Sequence, residues 1–229
     1  MGSSAVLFDL FGTLIPPFRM REHTETIRDC AHYLGVDFEC CHAQWRETFP
    51  RRIRGEFGSI AAEFRHIARL LGQRVKDEAL LKAEQRYRRF TLEGLTPVDG
   101  AIETLDELAS RGVVVGLVTN CAPDVPLLWS ESVLSRYFKY CAFSCRTGVA
   151  KPEPGIYRDA LSALNLRGSE TLYVGDGSDR ELSGAARCGL KPILLRVDLS
   201  NTYDPQREDT RAWEGLAIQQ LPEVVDLLS

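Results

Sequence analysis

Five side chains with catalytic potential stand at the ends of short apolar runs or at the start of a helical stretch: Asp9, Thr119, Asn120, Lys151 and Asp176. A carboxylate such as Asp9 can attack phosphorus or carbon and form a covalent ester. Hydroxyl, amide and ammonium donors can hold anionic oxygens and offset developing charge. Two facing carboxylates repel each other unless a counter-charge lies between them, and Mg²⁺ prefers oxygen ligands. Brought together, residues of these types could support attack by Asp9 on an anionic substrate, with Mg²⁺ between Asp9 and Asp176.

Four short apolar runs predict the strands that position these side chains. Continuous apolar runs of this length are typical of strands buried on both faces of a parallel sheet. The runs are 5–8, 113–118, 171–174 and 192–197, and helical patterns lie at 99–111, 153–164 and 179–188. The alternation predicts an α/β fold with a Rossmann-like, doubly wound parallel sheet. Ligands of such sheets bind beyond the carboxyl ends of the strands, so the polar residues should meet there.

Residues 17–96 break this alternation, because they show helical spacing and no convincing strand. One example is the apolar face formed by Ile60, Phe64 and Ile67. We therefore predict two domains: an α/β hydrolase core from residues 1–16 and 97–229, and an inserted all-α helical cap from residues 17–96.

Composition narrows the function classes. The 229 residues are 44% hydrophobic and 26% charged, with a formal net charge of −4, which gives no electrostatic case for a nucleic-acid partner. No apolar run is long enough to cross a bilayer, and the first 15 residues lack the basic start of a signal peptide. The seven cysteines are odd in number and form no C-x-x-C pair, which is typical of free thiols in a reducing compartment. We expect a cytoplasmic protein without a membrane partner.

The motifs, taken in chain order, resemble those of the haloacid dehalogenase-like (HAD) hydrolase superfamily, in the subfamily with a helical cap inserted after the first motif. The matching segments are Phe-Asp-Leu-Phe-Gly-Thr-Leu at 8–14, Val-Thr-Asn at 118–120, Gly-Val-Ala-Lys-Pro-Glu-Pro at 148–154, and Val-Gly-Asp-Gly at 174–177 with Glu181 and Gly-Ala at 184–185. Residues 97–100 are similar to the family's usual return from the cap.

The resemblance implies a role for each matching residue. Asp9 is expected to be the nucleophile, and a hydroxyl at Thr119 to hold the transferring group. Thr13 and Asn120 offer further donors, Gly12 permits the tight turn after the strand, and Lys151 supplies the positive charge.

Magnesium ligands are likewise implied by the resemblance. They are the carboxylates of Asp9 and Asp176, the backbone carbonyl of Phe11, and a further acid from the turn, for which Asp179 and Glu181 compete. Glu181 also completes a Ser178-x-x-Glu181 capping box, so a structural role for it is equally well supported.

Phe11 is the departure from the family pattern that matters most. Phosphomonoester hydrolases of the superfamily carry a second aspartate there, which protonates the leaving alkoxide. Phenylalanine donates no proton, and general acid catalysis contributes about 10²–10⁴-fold. The sequence therefore predicts phosphoryl transfer or hydrolysis on a small phosphorylated metabolite with a good leaving group, such as an acyl phosphate or a phosphoanhydride.

Three alternatives remain open. 2-Haloacid dehalogenases of the superfamily carry an aromatic residue at this position and resemble this chain at Tyr157 also, but they have no acid like Asp176. Phosphonoacetaldehyde hydrolases lack the second aspartate and need a cap lysine, for which Lys76 and Lys82 are available. The third alternative is a non-catalytic relative that binds a phosphorylated metabolite or a protein.

The predicted cap should choose the substrate, since the core supplies shared chemistry. Basic residues outnumber acidic ones in the cap, whereas acids dominate the rest of the chain, which suits a small anionic metabolite. Its densest basic cluster, Arg51, Arg52 and Arg54, is the candidate for bidentate pairing with a substrate anion. Trp45 and Phe49 are candidates for the pocket wall. We expect a monomer or a homodimer.

Overall fold

A parallel six-stranded sheet lies at the centre of the described part of the chain. The computed structural model describes residues 5–228. The strands are β1 (Ala5–Phe8), β2 (Val114–Thr119), β3 (Tyr140–Phe143), β4 (Thr171–Gly175), β5 (Lys191–Leu195) and β6 (Ala217–Ile218). Their order is β3-β2-β1-β4-β5-β6, with all neighbours parallel. The direction of winding reverses at β1 and β4, which is where ligands bind in doubly wound sheets. The predicted α/β fold is confirmed.

The four predicted strands are present with small shifts at their ends, but β3 and β6 were not predicted. Strand β3 begins with two half-buried residues, Tyr140 and Cys141, and has no aliphatic run. Strand β6 is only two residues long. Both are recognisable as strands only through their partners, because a short segment has too little periodicity of its own.

Twelve α-helices are formed by the described residues. Five lie between residues 20 and 94: α1 (Met20–Leu34), α2 (Phe38–Glu47), α3 (Phe49–Arg52), α4 (Ile60–Leu70) and α5 (Asp77–Gly94). Seven follow: α6 (Ala101–Ser110), α7 (Asp124–Leu128), α8 (Ser144–Thr147), α9 (Pro154–Ala163), α10 (Glu181–Arg187), α11 (Glu208–Arg211) and α12 (Glu223–Asp226). The helices predicted at 99–111, 153–164 and 179–188 correspond to α6, α9 and α10, each a few residues shorter.

Two hydrophobic clusters cover the two faces of the sheet, and β1 alternates between them. Val6 and Phe8 belong to one cluster and Leu7 to the other, and all three are fully buried. This explains why β1 is apolar throughout, as is typical of a central parallel strand.

A third hydrophobic cluster is built from helices α1, α2, α4 and α5 around Trp45, Phe64 and Tyr87. Residues 17–96 contain no strand. Helices α1, α2, α4 and α5 share this cluster and therefore pack mainly on one another. No helix within residues 5–228 combines the length and the apolar character needed to cross a membrane.

Candidate active site

The carboxyl ends of β1, β2 and β4 bring the predicted site residues to one edge of the sheet. Phe8 is in register with Leu117 of β2 and Val174 of β4, so Asp9 leaves the sheet between the two neighbouring strands. The Asp9 amide still donates to the Val174 carbonyl at 2.9 Å. Asp9, Thr119 and Asp176 are all buried here.

Lys151 connects two buried carboxylates across this edge. Its ammonium group donates to Asp9 Oδ1 and to Glu181 Oε2, each at 2.5 Å. The Tyr173 hydroxyl donates to the same Glu181 oxygen at 2.8 Å, and the Gly177 amide donates to Glu181 Oε1 at 2.9 Å. Both oxygens of Glu181 are therefore satisfied, whereas Asp9 Oδ2 is buried without a hydrogen-bond partner. One oxygen of the Asp9 carboxylate is therefore held by Lys151, and the other is available to a ligand.

Burial and mutual repulsion shift the pKa values of this cluster. Burial raises the pKa of Asp9 to about 6; the Lys151 charge opposes the shift and the Asp176 charge adds to it. Burial, followed by the charge of Asp9, raises the pKa of Glu181 to about 8. Burial works against the charge of Lys151, but the two carboxylates outweigh it and hold the pKa of Lys151 above its usual value. The cluster thus contains more negative charge than one lysine neutralises.

Three carboxylates could share one cation. Asp9, Asp176 and Glu181 each place one oxygen so that all three oxygens lie within 4.8 Å of one another, and we call these three residues the acid group. Crowded buried carboxylates require a counter-charge, and hard oxygen ligands suit Mg²⁺. Asp176 also forms an ion pair with the buried Arg207, and its other oxygen accepts from the Ser178 amide at 3.1 Å. The donor set and the free Asp9 oxygen fit a divalent cation, although Arg207 already neutralises part of the charge.

The two competing acids of the turn occupy different places. Glu181 lies in the acid group, while Asp179 is exposed and accepts from the Asn120 side chain at 2.7 Å. The reciprocal capping box is incomplete, because the Ser178 side chain caps no backbone amide, although Glu181 does accept from Gly177. Asp179 has a φ of 52°, a left-handed conformation uncommon outside glycine. The turn holds Asp179 against Asn120 and away from the acid group.

Thr13 and Thr119 are fully buried, and their hydroxyls have no hydrogen-bond partner among the described residues. A buried hydroxyl without a partner costs free energy unless a ligand or water satisfies it. Asn120 is engaged instead: its side chain accepts from the Lys151 amide at 2.8 Å and donates to the Lys151 carbonyl at 3.2 Å. It therefore orients the segment that carries Lys151.

Gly12 is required by the close approach of the first turn to the acid group. Its φ is 77°, and a Cβ atom at this position would lie 1.7 Å from Asp176 Oδ2. Any side chain would displace the Asp176 carboxylate. Phe11, the neighbouring residue, is half-buried and lines the cavity described next.

A cavity of about 350 Å³ opens between this edge and the helices of residues 17–96. Asp9, Asn120 and Lys151 line it on the side of the sheet. Trp45 and Phe49 line it from the helical side, where the sequence predicted a pocket wall. A molecule in this cavity can contact Asp9 and the helical segment at the same time.

The three predicted arginines differ in position. Only Arg52 lines the cavity, and it is buried, donating to Glu63 at 2.6 Å and to the Trp45 carbonyl at 3.1 Å. Arg51 pairs with Glu56 at 2.8 Å on the surface. Arg54 donates to the Gly148 carbonyl at 3.2 Å and pairs with Glu153. Arg54 thus connects the turn after α3 to the segment before α9, and neither Arg51 nor Arg54 lines the cavity.

Replacing Arg52 with alanine should lower the free energy of unfolding by about 3–5 kcal/mol, because Glu63 would remain buried without its cation. Urea denaturation measures the change. The matched control is Arg51→Ala, whose ion pair is exposed and should contribute within about 1 kcal/mol. Equal losses in the two variants would contradict a structural role specific to Arg52.

The two lysines available for phosphonoacetaldehyde hydrolase chemistry, which needs a Schiff base on a cap lysine, lie elsewhere. Lys82 pairs with Glu78 on the exposed side of α5, and Lys76, also exposed, precedes that helix. Neither lines the cavity. Tyr157 is fully buried and donates to the Glu181 carbonyl at 3.0 Å, so it supports the turn and does not line the cavity.

Two residues that contact the acid group were not predicted from the sequence. Arg207 lines the cavity and pairs with Asp176, and Tyr173 donates to Glu181. Arg207 precedes the short helix α11, in a stretch with no motif. Tyr173 lies inside the apolar run of β4. A buried tyrosine hydroxyl needs a hydrogen-bond partner, and this was the one signal in the sequence that could have indicated its contact with the site.

The described residues define a Rossmann-like α/β protein. Its acids and its lysine lie at the carboxyl ends of β1 and β4, where the direction of winding along the sheet reverses. Residues 4–189 match the family model for haloacid dehalogenase-like hydrolases. The chain belongs to this family and is a HAD-like hydrolase.

Similar proteins include two curated archaeal phosphatases. The chain is 29% identical to the ribulose-1,5-bisphosphate 5-phosphatase of Halopiger xanaduensis, over 99% of this chain and 100% of that protein. It is 25% identical to the glyceraldehyde 3-phosphate phosphatase of Pyrococcus furiosus, over 97% of this chain and 92% of that protein.

Solved structures with a similar fold include a phosphosugar complex and a dehalogenase. CbbY from Rhodobacter sphaeroides in complex with xylulose 1,5-bisphosphate has a TM-score of 0.63 and 21% identity, covering 96% of each chain. The L-2-haloacid dehalogenase from Xanthobacter autotrophicus has a TM-score of 0.63 and 22% identity, covering 98% of each chain. At these identities the solved structures establish the fold alone.

Proposed function

We propose that this hydrolase is a phosphatase for a small phosphorylated metabolite with a good leaving group, and that Asp9 is its nucleophile. The observation that carries the proposal is the Asp9 carboxylate: Oδ1 accepts from Lys151, while Oδ2 is buried without a partner beside a cavity. The phosphatase names of the two archaeal relatives support phosphoryl chemistry.

Each of the surrounding side chains would have its own role in the reaction. Asp9 forms a bond to phosphorus as the bond to the leaving oxygen breaks, and water then hydrolyses the aspartyl phosphate. Lys151 holds the nucleophile and offsets the charge on the phosphoryl group. Thr13 and Thr119, whose buried hydroxyls lack partners, donate to phosphoryl oxygens. Asn120 positions Lys151 through its backbone.

Mg²⁺ fits the acid group. Asp9 and Asp176 would hold it together with the Phe11 carbonyl, as the family resemblance implies. Glu181 would keep Lys151 in place, because both of its oxygens are already engaged, and Asp179 would stay with Asn120. When bound, the cation neutralises the crowded carboxylates and polarises the phosphoryl group.

Phe11 restricts the leaving group. It stands where a proton donor is expected, and its ring lines the cavity next to Asp9. A leaving group that departs without a proton suits this arrangement.

We also propose that residues 17–96 act as the cap that selects the leaving group and that residues 1–16 and 97–229 form the catalytic core.

Phosphate release from a panel of acyl phosphates, phosphoanhydrides and phosphate monoesters tests the proposal. The panel is assayed with Mg²⁺ and again with a chelator, alongside 2-chloropropionate. We expect phosphate release that stops on chelation. Halide release in the chelator would overturn the proposal in favour of a dehalogenase. Inertness towards every compound would favour a non-catalytic binding protein.

A further inference from the structure

Aromatic rings line one continuous side of the cavity. Eight cavity-lining residues carry such rings. Seven of them pack ring against ring, and we call these seven the aromatic wall: Phe11, Phe18, His23, Trp45, Tyr87, Phe90 and Tyr203. The eighth, Phe49, lies outside it. Successive ring centroids lie 5.7 Å apart for Phe11 and Phe18, 5.5 Å for Phe18 and Phe90, and 5.6 Å for Phe90 and His23. Such distances are typical of packed aromatic side chains.

The aromatic wall begins beside the proposed nucleophile and extends into the helical segment. Phe11 is two residues beyond Asp9, and Phe18, Phe11 and Phe90 are only half-buried, so part of each ring is left uncovered. Burying apolar surface is favourable in proportion to the area removed from water. When the substrate's phosphate lies beside Asp9, the group attached to it would therefore be stabilised if that group were flat and apolar.

His23 supplies one polar atom within the aromatic wall. Its Nδ1 atom lies 2.7 Å from the Tyr203 hydroxyl, and its Nε2 atom is buried without a hydrogen-bond partner. Burial, with the nearby Arg52 and His42 charges, keeps the pKa of His23 well below its usual value, so the ring is neutral. A neutral ring offers a single hydrogen bond at Nε2 and no charge.

The buried cations of the cavity already have partners. Arg52 pairs with Glu63, and Arg207 pairs with Asp176. Arg19 and Arg46 also line the cavity, but both are exposed. A second phosphate group would have to bind among rings or at the solvent-exposed rim. This arrangement does not favour a bisphosphate substrate.

We propose that the substrate is an aryl phosphate monoester, whose ring stacks on the aromatic wall and whose ring hydroxyl or carbonyl pairs with His23 Nε2. The proposal rests on the phosphatase function proposed above. In the reaction, the Asp9–phosphorus bond forms and the phosphorus–oxygen bond to the ring breaks, with its electron pair leaving on the phenolate. A phenol has a pKa of about 10, so the phenolate departs without an acid at position 11 and is protonated by water. Water then releases phosphate from Asp9.

The turnover of four phosphate compounds tests this inference separately from the phosphatase function on which it rests. Phenyl phosphate should exceed cyclohexyl phosphate, which has a similar size but an alkoxide leaving group, by about 100-fold or more in kcat/KM. Its KM should lie about 10-fold or more below that of acetyl phosphate, a good leaving group without a ring. Glyceraldehyde 3-phosphate should be poor. Preference for acetyl phosphate or glyceraldehyde 3-phosphate would overturn the inference and leave the phosphatase proposal standing. No phosphate from any of the four, nor from the phosphoanhydrides of the panel above, would overturn both.

Variants of the aromatic wall test the contact itself. Phe90→Ala should raise the KM for phenyl phosphate by about 10-fold and leave acetyl phosphate unchanged. The matched control is Phe57→Ala, a ring of the helical segment that packs on His66 and does not line the cavity. An equal effect of both variants, or of Phe90→Ala on both substrates, would contradict the stacking contact.

A variant of His23 tests the proposed hydrogen bond from its Nε2 atom to the substrate ring. His23→Phe keeps an aromatic ring and removes Nε2, so it should raise the KM for hydroxyphenyl phosphates by about 3- to 10-fold and spare phenyl phosphate. Unchanged KM values for the hydroxyphenyl phosphates would remove His23 from the proposal.

Discussion

Replacing Asp9 with asparagine should abolish phosphate release, with a loss of about 10⁴-fold or more in kcat. The amide is nearly the same size as the carboxylate and can still accept from Lys151, but it cannot attack phosphorus. Release of phosphate from the preferred substrate of the panel, at saturating Mg²⁺, measures the effect.

Folding of this variant should be intact. The folded protein raises the pKa of Asp9 to about 6, so it disfavours the ionised carboxylate that the unfolded chain carries at pH 7. Removing the charge should therefore leave the free energy of unfolding unchanged or raise it at that pH. The matched control is Asp159→Asn, whose carboxylate accepts from Tyr140 at 2.5 Å away from the acid group and should keep its activity. Substantial activity in Asp9→Asn would exclude Asp9 as the nucleophile.

Replacing Asp176 with asparagine should weaken Mg²⁺ binding by about 100-fold or more, and should reduce phosphate release accordingly. The physical reason is the loss of one of the two carboxylates that would hold the cation. Calorimetric titration of the substrate-free protein with Mg²⁺ measures the affinity directly and does not depend on activity.

Asp179→Asn is the control for this experiment. Asp179 lies in the same turn and carries the same charge, but it accepts from Asn120 and is outside the acid group. Its replacement should change the Mg²⁺ affinity only a few-fold. A larger loss in Asp179→Asn than in Asp176→Asn would mean that the turn rearranges on binding and that the assignment of the acids is wrong.

Local patterns were sufficient for the four central strands of the sheet and for the position of the acids. Residues 5–8 and 171–174 are continuous apolar runs that end in polar residues, and a strand buried on both faces leaves few other interpretations. Once these strands are parallel neighbours, Asp9 and Asp176 must meet at their carboxyl ends. Strands β3 and β6 were missed because four and two residues carry too little periodicity.

In the helical segment, residues 17–96, the local pattern did not predict which side chains are buried. Its spacing predicted helices, yet Arg51, Arg52 and Arg54 lie close together in the sequence and have three different environments. Helical geometry turns neighbouring side chains in different directions. Which of them is buried depends on Glu63 and on the segment near Gly148, and neither contact leaves a trace in the local pattern.

The sequence by itself determined the four central strands of the parallel sheet, the edge at which Asp9, Lys151 and Asp176 lie, and the absence of a carboxylate at position 11. Those features depend on local apolar runs and on the residue types that follow them. Only the tertiary structure decided that Glu181 holds Lys151, that Arg207 reaches Asp176, and that His23 and Tyr203 join the aromatic wall. His23 and Tyr203 are 180 positions apart in the chain. Such pairs arise when packed elements bring distant side chains together, so no pattern within either segment can predict them.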